Sequence, residues 1–201
     1  MRAVIFDFGG VIVRTEDQSG RLRAAARLGV PVDELYRAVF DSPVAALATV
    51  GQAPAEAVWA HVAALFRLDA AALAQLQADF WAGDRRDDAL VAFIRDLRPT
   101  FKTGILSNAW PDGRQIIAGK FGLADAVDDI VISAEVGIAK PDPRIFALAA
   151  SRLGVAPAEA LLVDDFLRNV EGARAAGMSA VHFRSPEQAL AEVRAWASRE
   201  I

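Results

Sequence analysis

The chain of 201 residues contains no cysteine. This absence excludes disulfide bonds, catalytic thiols and thiolate metal sites. It leaves oxygen ligands from carboxylates and carbonyls for any bound metal, and such ligands favour magnesium.

Basic blocks and long apolar runs are also lacking. The net charge is only -4, and no stretch interleaves basic with aromatic residues, which argues against a nucleic-acid partner. The first apolar run, Ala3–Phe6, is interrupted by Asp7, far short of a signal core or a membrane span. We therefore expect a cytoplasmic protein with neither nucleic acid nor membrane as a partner.

Length and hydrophobic content allow a sizeable core. At 54% hydrophobic residues, the chain fits one domain with an insertion or two small domains. Residues 1–14 are interpreted as a strand and its loop, residues 15–88 as helix only, and residues from 89 onward as alternating strands and helices. The pattern predicts an α/β fold with a helical bundle inserted after the first strand.

Helical periodicity dominates the middle part. Val58, Val62 and Leu65 share one helical face, and residues 21–28 and 34–40 give two further candidate helices. No strand signal interrupts this part. In the last part, Asp142 and Ser185 are predicted helix N-caps.

Four apolar segments each lead to polar residues. Residues 3–6 lead to Asp7, residues 101–106 to Ser107-Asn108, residues 130–132 through Gly137 to Lys140-Pro141, and residues 161–163 to Asp164-Asp165. A strand that is apolar throughout is buried on both faces, so its first polar residue emerges at the carboxyl end, where open α/β proteins bind ligands. A carboxylate beside four buried apolar residues costs free energy unless its charge is paired or bound to a metal. Asp7 is therefore the best candidate for the chemistry.

The same segments resemble the four signature motifs of the haloacid dehalogenase-like hydrolase superfamily. The motifs are Asp7-Phe8-Gly9-Gly10-Val11, Leu106-Ser107-Asn108, Lys140-Pro141 and Val163-Asp164-Asp165 with Asn169. The ordered set spans nearly the whole chain, with the helical insertion between the first two motifs. The resemblance implies a Rossmann-like parallel sheet, formed by residues 1–14 plus 89–201, and an all-helical cap, residues 15–88. It also implies phosphoryl transfer through an aspartyl-phosphate.

The resemblance further implies a role for each acidic motif. Asp7 attacks phosphorus and also ligates Mg²⁺, as do the backbone carbonyl of Gly9 and the carboxylate of Asp165. Asp164 and Asn169 act behind these ligands by orienting them or their waters.

Ser107, Asn108 and Lys140 are expected to bind the phosphate of the substrate. The resemblance implies that the Ser107 hydroxyl binds a phosphate oxygen. Lysine occurs only at positions 102, 120 and 140, and a compact ammonium suits a crowded site where phosphate and carboxylate meet. Trp110, just beyond the second motif, is the best aromatic candidate for a substrate contact.

These residues also have structural interpretations that involve no ligand. The alternatives are a solvated turn for Asp164-Asp165, a side-chain turn for Ser107-Asn108, a helix cap for Asn169 and an exposed loop for Lys140.

Gly9 departs from the phosphatase pattern, in which a second Asp protonates the leaving oxygen and then activates water. Glycine can do neither, and general acid–base catalysis is typically worth about 10²–10⁴ in rate. The prediction is a magnesium-dependent phosphatase that acts on a small phosphorylated metabolite. This enzyme is expected to be slow or to be selective for good leaving groups.

Three other functions compete with this one. A metal-independent dehalogenase of the superfamily would carry an aromatic residue at position 9 and would lack the Asp164-Asp165 pair. A phosphoaccepting receiver domain has its acidic pair on the first strand, so chain order rejects it. The remaining alternative is a phosphate-binding or regulatory module that has lost turnover through Gly9.

Overall fold

The computed structural model describes residues 1–199. Its seven strands are β1 (Ala3–Phe6), β2 (Val13–Thr15), β3 (Asp84–Arg86), β4 (Lys102–Ser107), β5 (Asp129–Ile132), β6 (Ala160–Asp164) and β7 (Ser179–His182). Its helices are α1 (Ser19–Leu28), α2 (Val32–Phe40), α3 (Pro43–Thr49), α4 (Ala55–Phe66), α5 (Ala70–Trp81), α6 (Asp88–Leu97), α7 (Ser133–Val136), α8 (Pro143–Arg152), α9 (Leu167–Ala175) and α10 (Pro186–Ala197). A π-helical segment, Gln115–Lys120, and a 3-10 turn, Pro157–Glu159, complete the list.

Five strands form a parallel sheet in the order β5-β4-β1-β6-β7. The central strand β1 is buried along its whole length. Val4 and Phe6 belong to a hydrophobic cluster with α6 and α10, whereas Ala3 and Ile5 belong to a second cluster with α8 and α9. The predicted α/β class and the buried first strand are confirmed, and the carboxyl end of β1 lies between those of β4 and β6.

The helices α1 to α5 lie between β2 and β3. Four of them, α1, α2, α4 and α5, share a hydrophobic cluster, and α3 packs against Val58 of α4 in a smaller one. The buried members of the larger cluster include Leu35, Val39, Trp59, Leu76 and Phe80. This is the expected all-helical cap. The limits of the cap, residues 15–88, and of the core, residues 1–14 plus 89–201, stay a prediction.

The prediction that residues 15–88 are helix only is wrong at one place. Strand β3, Asp84–Arg86, pairs antiparallel with β2, Val13–Thr15, where the chain enters and leaves the cap. Thr15 Oγ1 also donates to Asp84 Oδ1 at 2.6 Å. A three-residue strand made of charged side chains has no apolar alternation, so no periodic signal reveals it.

The predicted helix caps are confirmed. Asp142 accepts a hydrogen bond from the Arg144 N–H at 2.9 Å, and Ser185 Oγ accepts one from the Gln188 N–H at 3.2 Å. Each cap is followed by a proline at the first helical position.

Within residues 1–199, no single helix combines the length and apolarity that a membrane crossing requires. The pair α4 and α5 meets both criteria only when taken together, and its two helices meet at an angle of 114°.

Candidate active site

The carboxylate of Asp7 lies directly beyond β1. Its backbone N–H donates to Val163 O at 2.8 Å, which fixes the residue between β1 and β6. Its Oδ1 accepts the Phe8 N–H at 2.7 Å, and its Oδ2 lies 3.0 Å from Lys140 Nζ. The side chain is 8% exposed, so this carboxylate is held in a single place with one partner for each oxygen.

The ammonium of Lys140 is enclosed by oxygen atoms. Its Nζ lies 2.6 Å from Asp164 Oδ2, 2.9 Å from Leu106 O and 3.0 Å from Asp7 Oδ2. These contacts engage all three ammonium protons. The side chain is 1% exposed, which rules out the exposed-loop interpretation of this lysine.

Asp164 is fully buried, and the protein itself satisfies both of its oxygens. Asn169 Nδ2 donates to both of them, at 2.9 and 3.1 Å, and the Phe166 N–H donates to Oδ1 at 2.9 Å. Asn169 lies within the first turn of α9, whose N-cap is Phe166. Its side chain therefore orients Asp164 and does not cap the helix.

Asp165 has a different environment from its neighbour. Among the described residues, its buried Oδ1 has no hydrogen-bond partner. Its Oδ2 approaches Gly10 so closely that a Cβ built there would lie 2.1 Å from this oxygen. Gly10 has a φ of 84°, so both its conformation and this approach require glycine.

Asp7, Asp164 and Asp165 each place a carboxylate oxygen within 4.8 Å of the other two. Burial raises the pKa of Asp7 to about 8; Lys140 opposes this shift, while Asp164 and Asp165 add to it. Burial and the charge of Asp164 also raise the pKa of Asp165. Burial by itself would lower the pKa of Lys140, but the charges of Asp7 and Asp164 outweigh it and raise the pKa.

Crowded carboxylates with an unpartnered oxygen fit a divalent cation with oxygen ligands. One lysine cannot neutralise three neighbouring carboxylates, and in the described part of the chain Asp165 Oδ1 lacks the hydrogen bond that a buried acceptor needs. A cation supplies both the missing charge and the missing contact.

Gly9 is exposed, and a Cβ built on it would meet no atom of the described residues within 4 Å, apart from its own chain neighbours. The space two residues after Asp7 is therefore open, and a side chain would fit there without displacing its neighbours.

Ser107 is the last residue of β4 and is buried, whereas Asn108 follows the strand and is exposed. Asn108 Nδ2 donates to Lys140 O at 2.9 Å, and its Oδ1 accepts the Lys140 N–H at 2.8 Å. Sequence reasoning missed this pairing, because the two residues are 32 positions apart and no local pattern links them.

Trp110 packs into the cap. Its ring centroid lies 6.0 Å from that of Phe40 and 6.3 Å from that of Trp59, so a core loop and two cap helices meet at this side chain. Its predicted substrate contact stays a prediction.

Two buried polar residues outside the four motifs were missed by the sequence analysis. Arg21 of the cap is buried, and its Nη2 lies 3.2 Å from Asp84 Oδ1. Ser133 is buried, and its Oγ accepts the Ala109 N–H at 3.0 Å and donates to Ala109 O at 3.2 Å. The only sequence signal for Arg21 was a single arginine in a predicted helix. No sequence signal pointed to Ser133.

Three curated proteins share sequence with parts of this chain. It is 48% identical over 93 residues to a phosphoserine phosphatase from Thermus thermophilus, covering 45% of this chain and 37% of that protein. It is 46% identical over 66 residues to a glyceraldehyde 3-phosphate phosphatase from Methanopyrus kandleri, covering 32% and 28%. It is 36% identical over 99 residues to an (S)-2-haloacid dehalogenase from Xanthobacter autotrophicus, covering 49% and 39%. The matched segments thus span less than half of each of these relatives.

A structural relative extends over most of the chain. A HAD family enzyme from Bacteroides thetaiotaomicron, in complex with magnesium and inorganic phosphate, superposes with a TM-score of 0.76 at 17% identity, covering 92% of this chain and 96% of that one. A family model described as haloacid dehalogenase-like hydrolase matches residues 1–177. Because this match includes all four motifs and far more than half of the sequence, the chain belongs to the haloacid dehalogenase-like hydrolase family.

Proposed function

We propose that this protein is a magnesium-dependent phosphatase that hydrolyses a small phosphomonoester through an aspartyl-phosphate on Asp7. The observation that carries the proposal is a carboxylate oxygen of Asp165 that has no partner among residues 1–199 and lies beside the buried contact between Asp7 and Lys140. The phosphatases among the relatives support a phosphorylated small molecule as substrate. A cytoplasmic location stays a prediction.

In the proposed reaction, a carboxylate oxygen of Asp7 attacks phosphorus, and the bond from phosphorus to the substrate oxygen breaks. Water then attacks the same phosphorus, which releases phosphate and restores the carboxylate. Lys140 brings one positive charge to the place where carboxylate and phosphate meet. The Phe8 N–H, bonded to Asp7 Oδ1, keeps the nucleophile oriented.

The residues proposed to hold Mg²⁺ are Asp7, Asp165 and the backbone carbonyl of Gly9. A bound magnesium ion would neutralise the phosphate oxygens. Asp164 and Asn169 would orient the surrounding groups, which agrees with the hydrogen bonds that saturate Asp164. Gly10 keeps the space beside Asp165 Oδ2 clear of any side chain.

Ser107, at the carboxyl end of β4, is proposed to bind a phosphate oxygen together with Lys140. The sequence also assigned Asn108 and Trp110 to phosphate or substrate. Both side chains have other contacts in the structure, with the Lys140 backbone and with Phe40 and Trp59.

The open space at Gly9 supports selectivity for good leaving groups. No acidic side chain at position 9 gives a proton to the departing oxygen, so an alkyl alcohol leaves with nearly full negative charge. An aryl, acyl or anomeric phosphate needs less help. We therefore expect the rate to depend steeply on the pKa of the leaving group.

The same glycine favours a second candidate, a module that binds magnesium and phosphate without turnover. A dehalogenase is disfavoured, because the acidic pair at positions 164 and 165 lies beside Asp7 and calls for a cation that a carbon–halogen displacement does not use.

Phosphate release from a panel of aryl, acyl, sugar and alkyl phosphates separates these functions. Turnover that requires magnesium, stops with EDTA and disappears in Asp7→Asn is expected. Binding of magnesium and phosphate without release from any ester would favour the binding module. Turnover that is indifferent to EDTA, or release of halide from a 2-haloacid, would favour the dehalogenase.

A further inference from the structure

The side-chain amide of Asn108 is bonded to a single residue of another loop. Its Nδ2 donates to the carbonyl of Lys140 at 2.9 Å, and its Oδ1 accepts the N–H of the same residue at 2.8 Å. The Asn108 amide thus donates one hydrogen bond to the Lys140 backbone and accepts one from it, as paired residues of neighbouring strands do. These two bonds fix both the position and the rotation of the Lys140 backbone.

The Lys140 side chain has little freedom of its own once that backbone is fixed. Its Nζ must reach Leu106 O, Asp7 Oδ2 and Asp164 Oδ2 at the same time, within 2.6–3.0 Å. A shift of the backbone by about an ångström would break at least one of these contacts, since hydrogen bonds weaken steeply with distance and angle.

Asn108 is itself held firmly in the chain. Ser107, just before it, pairs with Ile132 of the neighbouring strand. Ala109, just after it, makes two backbone hydrogen bonds to the buried hydroxyl of Ser133. Asn108 therefore connects the hydrogen-bonded carboxyl end of β4 to the loop that carries Lys140.

We propose that Asn108 is a positioning residue that holds the Lys140 backbone so that the ammonium stays on Asp7 and Asp164, and that it does not bind the substrate. This inference deepens the proposed phosphatase and rests on it for its catalytic meaning. It replaces the sequence-based assignment of Asn108 to the phosphate.

The first test does not depend on the function. Acetic anhydride acylates free lysine amines, and this chain offers only Lys102, Lys120 and Lys140. Lys140 should be protected in the parent and should be labelled at least about tenfold faster in Asn108→Ala, because this variant loses both hydrogen bonds to the Lys140 backbone. Lys120, which is exposed, serves as the internal reference.

Ser133→Ala is the matched control, because it removes two hydrogen bonds from the adjacent residue Ala109 and none from Lys140. It should change the labelling of Lys140 far less than Asn108→Ala does, because both hydrogen bonds between Asn108 and the Lys140 backbone remain. Equal acceleration in both variants, or no acceleration in Asn108→Ala, would overturn the proposal. If thermal unfolding shows that Asn108→Ala is not folded, Asn108→Ser is used instead.

The second test is a double-mutant cycle read by vanadate binding in the presence of magnesium. Asn108→Ala should weaken binding about tenfold in the parent and should have no further effect once Lys140→Ala is present. An equal effect in both backgrounds would mean that Asn108 contacts the anion directly, which would overturn the proposal. If the parent itself binds no vanadate, the phosphatase proposal fails, and the labelling result alone decides whether Asn108 positions Lys140.

Discussion

A Cβ at Gly10 would lie 2.1 Å from Oδ2 of Asp165. The glycine belongs to the loop after β1 and the carboxylate to the loop after β6, so these two loops touch where the metal ligands are proposed. The contact makes Gly10 a sensitive test of the site, because any side chain there must displace Asp165.

Gly10→Ala is expected to weaken magnesium binding at least about tenfold, since the methyl group moves a proposed ligand. Calorimetric titration with magnesium measures this directly. Gly154→Ala is the matched control: Gly154 has a φ of 73°, and a Cβ there meets nothing within 4 Å. Both variants should lose about 1 kcal/mol of stability from the strained φ. Unchanged magnesium affinity in Gly10→Ala would show that Asp165 does not hold the ion.

Asp7→Asn should stabilise the protein without metal, and more so at higher pH. Burial raises the folded-state pKa of Asp7 from 3.8 to about 8. The raised pKa contributes to the free energy of unfolding. This contribution is fully present below about pH 4 and is lost as the pH rises through about 8, where the buried carboxyl ionises. In EDTA, the gain in unfolding free energy should be near zero at about pH 4 and at least about 1 kcal/mol at about pH 8, or about 2–4 °C in melting temperature. A gain that does not change with pH would contradict the unfavourable ionisation of Asp7.

Gly9→Asp should raise the turnover of simple alkyl phosphates by up to about 10²–10⁴ and flatten the dependence on leaving-group pKa. The open space around Gly9 accommodates the new side chain. Gly9→Asn, which has the same size but no acidic proton, should give no such gain. Rates are compared over aryl and alkyl phosphates of graded alcohol pKa. A flat dependence in the parent, with no gain on substitution, would mean that the proton comes from the cap or the substrate.

Trp110→Ala should destabilise the protein by about 2 kcal/mol, because the ring contacts Phe40 and Trp59 of the cap. Trp110→Phe retains part of this packing and should lose less. Urea unfolding measures the loss, and steady-state kinetics run in parallel. A raised KM with unchanged stability would instead support the substrate contact that the sequence predicted.

Much of the fold and of the site follows from local sequence. The apolar residues 3–6 predict a buried strand, which places Asp7 at the edge where ligands bind, and Asp142 and Ser185 identify their helices by capping chemistry. These signals are strong because each arises within a few neighbouring residues.

The unpredicted features depend on contacts between distant residues. Strand β3 consists of polar residues and is held to β2 across the whole cap insertion. Asn108 has the composition of a turn residue, and only its distance to Lys140 shows what it binds. By its residue type Trp110 suits a pocket as well as a core, and only the structure shows that it packs against the aromatic residues of the cap.

The central claim is that Asp7 becomes covalently phosphorylated during turnover. The most direct measurement is an acid-quenched first turnover with magnesium and p-nitrophenyl phosphate, followed by borohydride reduction and peptide mass spectrometry. Borohydride converts an aspartyl-phosphate into homoserine and leaves an ordinary carboxylate intact. The account predicts homoserine at position 7, in an amount that falls to zero with EDTA. Phosphate release with an unreduced Asp7, or reduction at another aspartate, would contradict it.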